Sequence, residues 1–321
     1  MPLDTRPLAI FLMGPTASGK TALACELSDR FELDLLSVDS ALVYRGMNIG
    51  SAKPDAESLL RYPHALVDIR EPEQVYSAAD FCADARPLMQ RISGQGRVPL
   101  LVGGTSLYFR ALQQGLSELP EADPATRERL AAEARRIGWP AMHAQLARRD
   151  PVAARRIGCH DAQRLQRALE VIELTGRPLS ELQRHGANRI FPWRVLKLAL
   201  LPPDRALLHE RIAQRFDAML AAGLLDEVRT LRNRSGIHAE LPAIRAVGYR
   251  QAWEYLEGQS TPAQFRDRAI FATRQLAKRQ ITWLRSDHGA RLFDPDDAGL
   301  VARVEGAVRL FLHAGEQPPP R

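Results

Sequence analysis

The segment from Leu8 to Thr21 constrains the fold of this chain more than any other. Six consecutive apolar residues, Leu8–Met13, run into Gly14-Pro15-Thr16-Ala17-Ser18-Gly19-Lys20-Thr21. A short apolar run bounded by turn residues predicts a buried strand, and the stretch from Lys20 to about Arg30 predicts a helix. Between them the octapeptide fits G-x4-G-K-[ST], the setting in which a glycine loop turns its N–H groups on phosphate oxygens. The helix N-terminus adds a favourable dipole, Lys20 a mobile positive charge, and the Thr21 hydroxyl a ligand for Mg²⁺. A plain strand-to-helix turn requires neither the lysine nor the hydroxyl. The loop specifies a diphosphate but not what is attached to it: ATP is the default occupant, and any pyrophosphate fits.

The strand–helix pattern recurs. Leu35–Val38, Ala65–Ile69 and Val98–Val102 read as short buried strands, and Val195–Leu200 as a later one. Strands alternating with helices predict an α/β fold, a P-loop NTPase-like parallel sheet covered on both faces. Residues 121–194 interrupt it with a helical insertion. Asp123-Pro124 and Asp150-Pro151 open helices, Gly138-Trp139-Pro140 breaks one, and Asp161–Leu174 is a further helix stopped at Gly176. After Val195–Leu200, Pro202-Pro203-Asp204 opens a long helix through Ala222, and Thr261–Arg285 forms another with Pro262 in its first turn. The core is thus expected from 1–120 and 195–290, with 291–321 a tail whose Gln317-Pro318-Pro319-Pro320-Arg321 end is expected to be disordered.

In open parallel sheets ligands collect beyond the carboxyl ends of the strands. Asp39-Ser40 follows one strand there and Gly103-Gly104-Thr105 another, so both should face the phosphate loop. A carboxylate at 39 can take a proton, and a hydroxyl at 105 can orient an amine or a leaving oxygen. The alternative for Asp39, the less favoured one, is a helix cap or Mg²⁺ ligand; for Thr105 a cap is an equal alternative. Asp68 also ends a strand run but reads as structural.

Charge points to the partner. Of 44 lysines and arginines only four are lysine, a bias that a GC-rich genome alone produces. The distribution is more telling. Residues 1–120 carry 11 basic and 14 acidic side chains, residues 121–194 carry 14 and 9, and residues 241–289 carry 8 and 4. Genome bias does not sort charge in this way, whereas a polyanionic partner such as a nucleic acid rewards it. Arg274, Lys278 and Arg285 form one stripe on the Thr261–Arg285 helix, with Phe271 and Ile281 expected inward. No apolar run approaches membrane-spanning length, and no secretory signal is recognisable at the N-terminus. Cys25, Cys82 and Cys159 lack paired spacing, so a reducing cytoplasm is expected.

Taken together, the motifs resemble the bacterial tRNA dimethylallyltransferases (tRNA isopentenyltransferases). The phosphate loop is followed by Asp39-Ser40-Ala41-Leu42-Val43-Tyr44-Arg45-Gly46, Gly50-Ser51-Ala52-Lys53-Pro54, Tyr76-Ser77-Ala78-Ala79-Asp80-Phe81 and Val102-Gly103-Gly104-Thr105. Asp161-Ala162-Gln163-Arg164-Leu165, Arg245-Ala246-Val247-Gly248-Tyr249-Arg250 and Leu276-Ala277-Lys278-Arg279-Gln280-Ile281-Thr282-Trp283-Leu284-Arg285 complete the series, in family order, over about residues 8–285. The resemblance implies that Gly14–Thr21 hold dimethylallyl diphosphate, with Mg²⁺ as cofactor. The acceptor is then the exocyclic amine of the adenosine just 3′ of a tRNA anticodon. It makes Asp39 the general base and puts Thr105 near the reacting amine. It also implies tRNA contacts at Asp39–Leu42, Thr105, Arg127, Gln163-Arg164-Leu165-Gln166-Arg167, Arg245–Arg250 and Lys278–Arg285, with the basic insertion gripping the anticodon stem. A monomer is expected. Where the family has His-Pro-Asn-Asp, this chain has Gly158-Cys159-His160-Asp161, and its C-terminal segment lacks the cysteines of the eukaryotic zinc finger.

The chemistry asks for these groups. An adenine amine is a weak nucleophile until a base removes its proton, a role open to Asp39. Departure of diphosphate needs cations and N–H donors, supplied by Lys20, the loop, Mg²⁺ and an arginine. Arg211 and Arg215 lie one turn apart after the last strand, and Arg215 is favoured. The acceptor base must be flipped out of its stack to be reached. An ATP-dependent small-molecule kinase and a non-catalytic RNA-binding P-loop protein are the competing classes.

Overall fold

The computed structural model describes residues 4–117, 119–185 and 191–314. The first strand, β1 (Leu8–Met13), runs through the glycine loop into α1 (Lys20–Ser28), and β2 (Leu33–Val38) follows. Next come α2 (Ala56–Arg61), the two-residue β3 (His64–Ala65), α3 (Ala78–Gly94), β4 (Val98–Gly103) and α4 (Ser106–Gln114). Five helices then succeed one another: α5 (Pro124–Ile137), α6 (Trp139–Arg149), α7 (Pro151–Arg156), α8 (Ala162–Thr175) and α9 (Leu179–His185). The chain returns through β5 (Arg194–Leu200), α10 (Arg205–Ala221), α11 (Leu224–Arg232), α12 (Tyr249–Leu256), α13 (Pro262–Ser286), β6 (Arg291–Phe293) and α14 (Leu300–His313).

The six strands form one parallel sheet in the order β3-β2-β4-β1-β5-β6. The continuous apolar runs of β1 and β4, and the mainly apolar β2 with Asp34 and Ser37 in it, are what burial on both faces requires. Ile10, Leu12, Leu100, Val102, Leu198 and Leu200 share a core with Leu23 and Leu27 of α1 and with Val304 and Val308 of α14. Register aligns the strand ends: Met13 lies opposite both Gly103 and Ala199, and Val38 opposite Gly103. From β1 the chain goes to β2 on one side, and from β4 to β5 on the other. That reversal between neighbouring strands opens a crevice at their carboxyl ends.

The chain divides into two compact units, residues 1–112 with 192–321, and residues 113–191. In the second, Leu130, Met142, Leu146, Leu165, Leu169 and Ile172 form a separate apolar core. Its helices start where the sequence signals them. Asp123, Asp150 and Asp161 accept the backbone N–H of Thr126, Ala153 and Arg164, satisfying donors that a first turn leaves open. Glu170, fully buried, binds the Asp123 N–H and the guanidinium groups of Arg127 and Arg167.

Four expectations are corrected. The Ala65–Ile69 run pairs with β2 only through its first residue and the preceding His64; Leu66 and Asp68 then take left-handed φ values of 69° and 53°. Asp68 and Ile69 donate instead to the Leu42 and Val43 carbonyls, turning the segment away from the sheet. The insertion begins at residue 113 rather than 121 and ends at 191 rather than 194. Residues 291–314 are no tail, since they contribute β6 and α14 to sheet and core; the Gln317–Arg321 end lies outside the described residues. Phe271 is 62% exposed, because Ile270 takes the inward position with Ala277, Ile281 and Leu284.

Candidate active site

The glycine loop is built by close packing beneath it. A Cβ on Gly14 would meet Ser18 Oγ at 2.7 Å and the Leu200 carbonyl at 3.1 Å, so only glycine lets the loop sit on the end of β5. Ser18 Oγ donates to the Pro15 carbonyl and closes the turn. Gly19 enters α1 with φ +78°, and no side chain caps the helix. The N–H groups of its first turn are therefore left for an anion. Lys20 donates to the Pro15 carbonyl at 2.6 Å, which holds its ammonium over the loop. Burial draws its pKa down to about 8, with Asp39 pulling it up and Arg215 pushing it down. Protein surrounds Lys20 and Asp39 closely, yet solvent still reaches both, as a crevice floor requires.

Asp39 stands just past β2. Its Oδ1 accepts the N–H groups of Ala41 and Leu42, at 2.8 and 3.4 Å, which fixes the carboxylate and leaves Oδ2 for other use. Burial raises its pKa; those two N–H bonds and the charges of Lys20 and Arg215 oppose the rise without cancelling it. Thr105 stands past β4, its N–H on the Val38 carbonyl and its Oγ1 accepting from the Ser40 N–H at 3.2 Å. The hydroxyl thus faces the Asp39 loop. A Cβ on Gly103 would lie 2.1 Å from the Val38 oxygen, so this closeness depends on glycine there.

Of the two arginines on α10, Arg211 is committed to Asp296 at 2.5 Å. Arg215 has no such pair among the described residues, and its charge acts on both Asp39 and Lys20. Lys20, Asp39, Thr105 and Arg215 therefore gather at the ends of β1, β2, β4 and the helix after β5. Gln280 of α13 joins them, accepting the Thr16 N–H at 2.9 Å and donating to the Gly104 carbonyl at 3.0 Å. Thr21 is exposed on the first turn of α1.

The RNA-facing positions sort by exposure. Arg245, Arg250, Lys278, Arg279, Thr282 and Arg285 are exposed in the first unit, and Gln163 and Arg164 in the second. Ser40 is exposed, while Ala41, Leu42, Ala246 and Val247 are half-buried. Leu165, Tyr249, Ile281 and Leu284 are core residues, so the expected RNA contacts are not open to their side chains. Gly248 is buried and bonds through its N–H to Gln251. Trp283 lies parallel to Phe109, with ring centroids 6.3 Å apart. Arg127 and Arg167 are tied to Glu170, and Gln166 donates to the Arg127 carbonyl. Arg274 is half-buried rather than part of an open stripe.

Sequence reading missed the groups that hold the Asp39–Lys53 stretch in place. Glu227 of α11 accepts the N–H groups of Asn48, Ile49 and Gly50 and the phenol of Tyr249. Lys53, its side chain 2% exposed, donates to the Tyr44 carbonyl, Asn48 Oδ1 and Asp68 Oδ1. A buried lysine needs such partners, and Asp68 is the structural acid expected. The glycine of Gly50-Ser51-Ala52-Lys53 was the available signal, since a Cβ there would strike the Tyr249 ring at 2.7 Å.

Known proteins resemble the chain over most of its length. The sequence model of the family described as IPP transferase matches residues 42–287. A tRNA dimethylallyltransferase of Stenotrophomonas maltophilia (strain K279a) is 58% identical over 317 residues, covering 97% of this chain and 99% of that protein. One from Thiobacillus denitrificans is 58% identical over 308 residues, covering 96% and 98%. Among solved structures, the full-length tRNA isopentenylpyrophosphate transferase of Bacillus halodurans superposes with a TM-score of 0.71 at 34% identity, covering 97% of this chain and 98% of that one. A eukaryotic dimethylallyltransferase acting on tRNA gives a TM-score of 0.78 over 98% of this chain and 82% of its own, at 22% identity, a likeness of fold alone.

Proposed function

Since the chain belongs to the IPP transferase family, we propose that it moves a dimethylallyl group from dimethylallyl diphosphate to the N6 amine of the adenosine 3′ of the tRNA anticodon. The observation that carries this reading is the convergence of an uncapped, lysine-bearing phosphate loop with a fixed carboxylate and a hydroxyl from the two adjacent strand ends. In the reaction, the bond between the allylic carbon and the diphosphate oxygen breaks and its electron pair leaves with diphosphate. The bond from N6 to that carbon forms, and the N6 proton passes to Asp39 Oδ2.

Each residue has a task in this scheme. The α1 N–H groups, Lys20 and Arg215 receive the negative charge of the leaving diphosphate, in a crevice where such interactions are stronger than in open water. Asp39 removes the proton as N6 attacks, and its upward-shifted pKa makes it a better base than an ordinary surface aspartate. The Thr105 hydroxyl orients the amine. Thr21 would hold Mg²⁺. Mg²⁺ commonly takes substrate phosphate oxygens and water beside few protein ligands, which suits a site where the protein would offer the Thr21 hydroxyl. The ion would neutralise charge on the leaving group. The exposed cations Arg245, Arg250, Lys278, Arg279 and Arg285 would meet RNA phosphates. No helix among the described residues is long and apolar enough to cross a membrane.

The test is incorporation of label from dimethylallyl diphosphate into unmodified tRNA, beside a parallel reaction with labelled ATP. Label is expected from the first donor only. Replacing the target adenosine by inosine removes the nucleophile and keeps the phosphates, so binding should persist and transfer vanish. Phosphate transfer from ATP, with no prenyl label in RNA, would establish the kinase alternative.

A further inference from the structure

Among the described residues, the Gln280 side chain hydrogen-bonds both the phosphate loop and the strand end that carries Thr105. Its Oε1 accepts the Thr16 N–H of the phosphate loop, and its Nε2 donates to the Gly104 carbonyl just before Thr105. The contact is tight: a Cβ on Gly104 would lie 2.3 Å from Nε2. From Gly104 the linkage continues through Thr105, whose N–H binds the Val38 carbonyl and whose hydroxyl accepts from Ser40, the residue after Asp39. A path of hydrogen bonds and one peptide link therefore runs from the donor loop to Ser40, next to Asp39, and Gln280 is its member from α13. The neighbours Lys278 and Arg279 on that helix are exposed cations.

We propose that Gln280 is a positioning residue that sets the distance between the phosphate loop and the Asp39–Thr105 pair, and so acts on the chemical step rather than on RNA affinity. The proposal rests on the prenyl-transfer reading above. The chemistry of the position is selective. The side chain must accept from one N–H and donate to one carbonyl at the same time, which a carboxamide does and a carboxylate or hydrocarbon does not. Without the bridge, Thr16 and Gly104 lose their common partner, and donor carbon and acceptor amine lose their fixed separation.

The test uses the full chain with Gln280→Met and Gln280→Glu. Gln280→Met fills the same space without the two bonds; its kcat is expected to fall about 10²-fold, the scale of a misplacement of about 1 Å. Its dissociation constant for tRNA should stay within about twofold, since the phosphate contacts that dominate affinity are untouched. In Gln280→Glu a protonated carboxylic acid both donates and accepts, as the amide does, whereas the carboxylate repels the Gly104 oxygen. Its rate relative to wild type should therefore rise as pH is lowered from 8 to about 5, toward the ordinary glutamate range, while the Gln280→Met ratio stays flat. Hydrogen exchange at the Thr16 N–H should quicken about tenfold in Gln280→Met, a readout independent of any activity. Unchanged kcat with weakened tRNA binding would make Gln280 an RNA contact and overturn the proposal. Unchanged Thr16 exchange, or a Gln280→Glu ratio flat with pH, would do the same. Should Gln280→Met fail to fold, the pH profile of Gln280→Glu decides alone. A wild-type enzyme that transfers no prenyl label would instead count against the underlying reaction.

Discussion

Replacing Asp39 by asparagine separates its chemistry from its architecture. Asparagine keeps the Oδ1 that accepts the Ala41 and Leu42 N–H groups, so the loop after β2 stays in place. What it loses is the charge and the site for the proton. A positioned base is worth roughly 10²–10⁴-fold, or about 2.7–5.4 kcal/mol in the barrier at 1.36 kcal/mol per decade. Donor affinity should not weaken, because removing a negative charge beside Lys20 and Arg215 leaves more net positive potential for diphosphate. The asparagine enzyme should thus show a kcat lower by that factor at an unchanged or smaller KM for dimethylallyl diphosphate. The pH profile gives a second signature. Asp39 acts deprotonated and burial raises its pKa, so wild-type transfer should fall as pH drops through a value above the ordinary aspartate range. In Asp39→Asn that acid limb should disappear. Single-turnover transfer to an anticodon stem-loop RNA, measured from pH 4.5 to 8, reads both. An asparagine enzyme within tenfold of wild type at saturating substrates, or one with its acid limb intact, would remove Asp39 from the role of base.

Lys20 should make pyrophosphate binding pH-dependent: its ammonium is present below about 8 and is lost as pH rises through that value, so affinity should fall above pH 8 in wild type. Titration calorimetry should find weaker binding to Lys20→Met, without that decline. Glu227→Ala strips the acceptor from three backbone N–H groups and the Tyr249 phenol; a loss of about 2–3 kcal/mol in urea unfolding is expected, because solvent reaches part of the loop. Glu170→Ala leaves Arg167 and Arg127 without their buried acceptor and should cost about 2–3 kcal/mol, less than a fully enclosed pair, as Arg127 is 45% exposed. Burial would raise the Glu170 pKa, but Arg167, Arg127 and the Asp123 N–H hold it below the ordinary value. Its contribution is therefore present at neutral pH and lost as pH falls through that lowered pKa, a loss absent from Glu170→Ala melting curves.

The sheet was largely legible because parallel strands buried on both faces appear as mainly apolar runs: β1 and β4 are unbroken, while β2 carries Asp34 and Ser37 and β5 carries Lys197. Ala65–Ile69 carries the same signature yet leaves the sheet, since pairing depends on partners elsewhere: residues 68 and 69 are captured by carbonyls of residues 42 and 43. The phosphate loop, Asp39 and Thr105 were recognisable because backbone geometry ties their function to strand ends. Glu170 and Glu227 were not, because a helix shows its charges as a solvated face until a partner covers them. Phe271 was misplaced by one step of about 100°, as the inward line runs through Ile270, Ala277, Ile281 and Leu284. Sequence favoured Arg215 over Arg211 for the diphosphate, and the structure adds that Arg211 is paired with Asp296, a residue of the loop before α14.

The placement of α14 has a bearing on biosynthesis. Its Val304, Ala307 and Val308 lie in the same core as Leu23 and Leu27, so the first helix made is covered in part by the last. While the ribosome is still adding these residues, the apolar side chains beneath them face water or a chaperone. The helical unit of residues 113–191 has its own core and can mature meanwhile. Nascent chains stalled just before Leu300 should therefore hold a folded helical unit while the sheet core, still without α14, stays open to proteases.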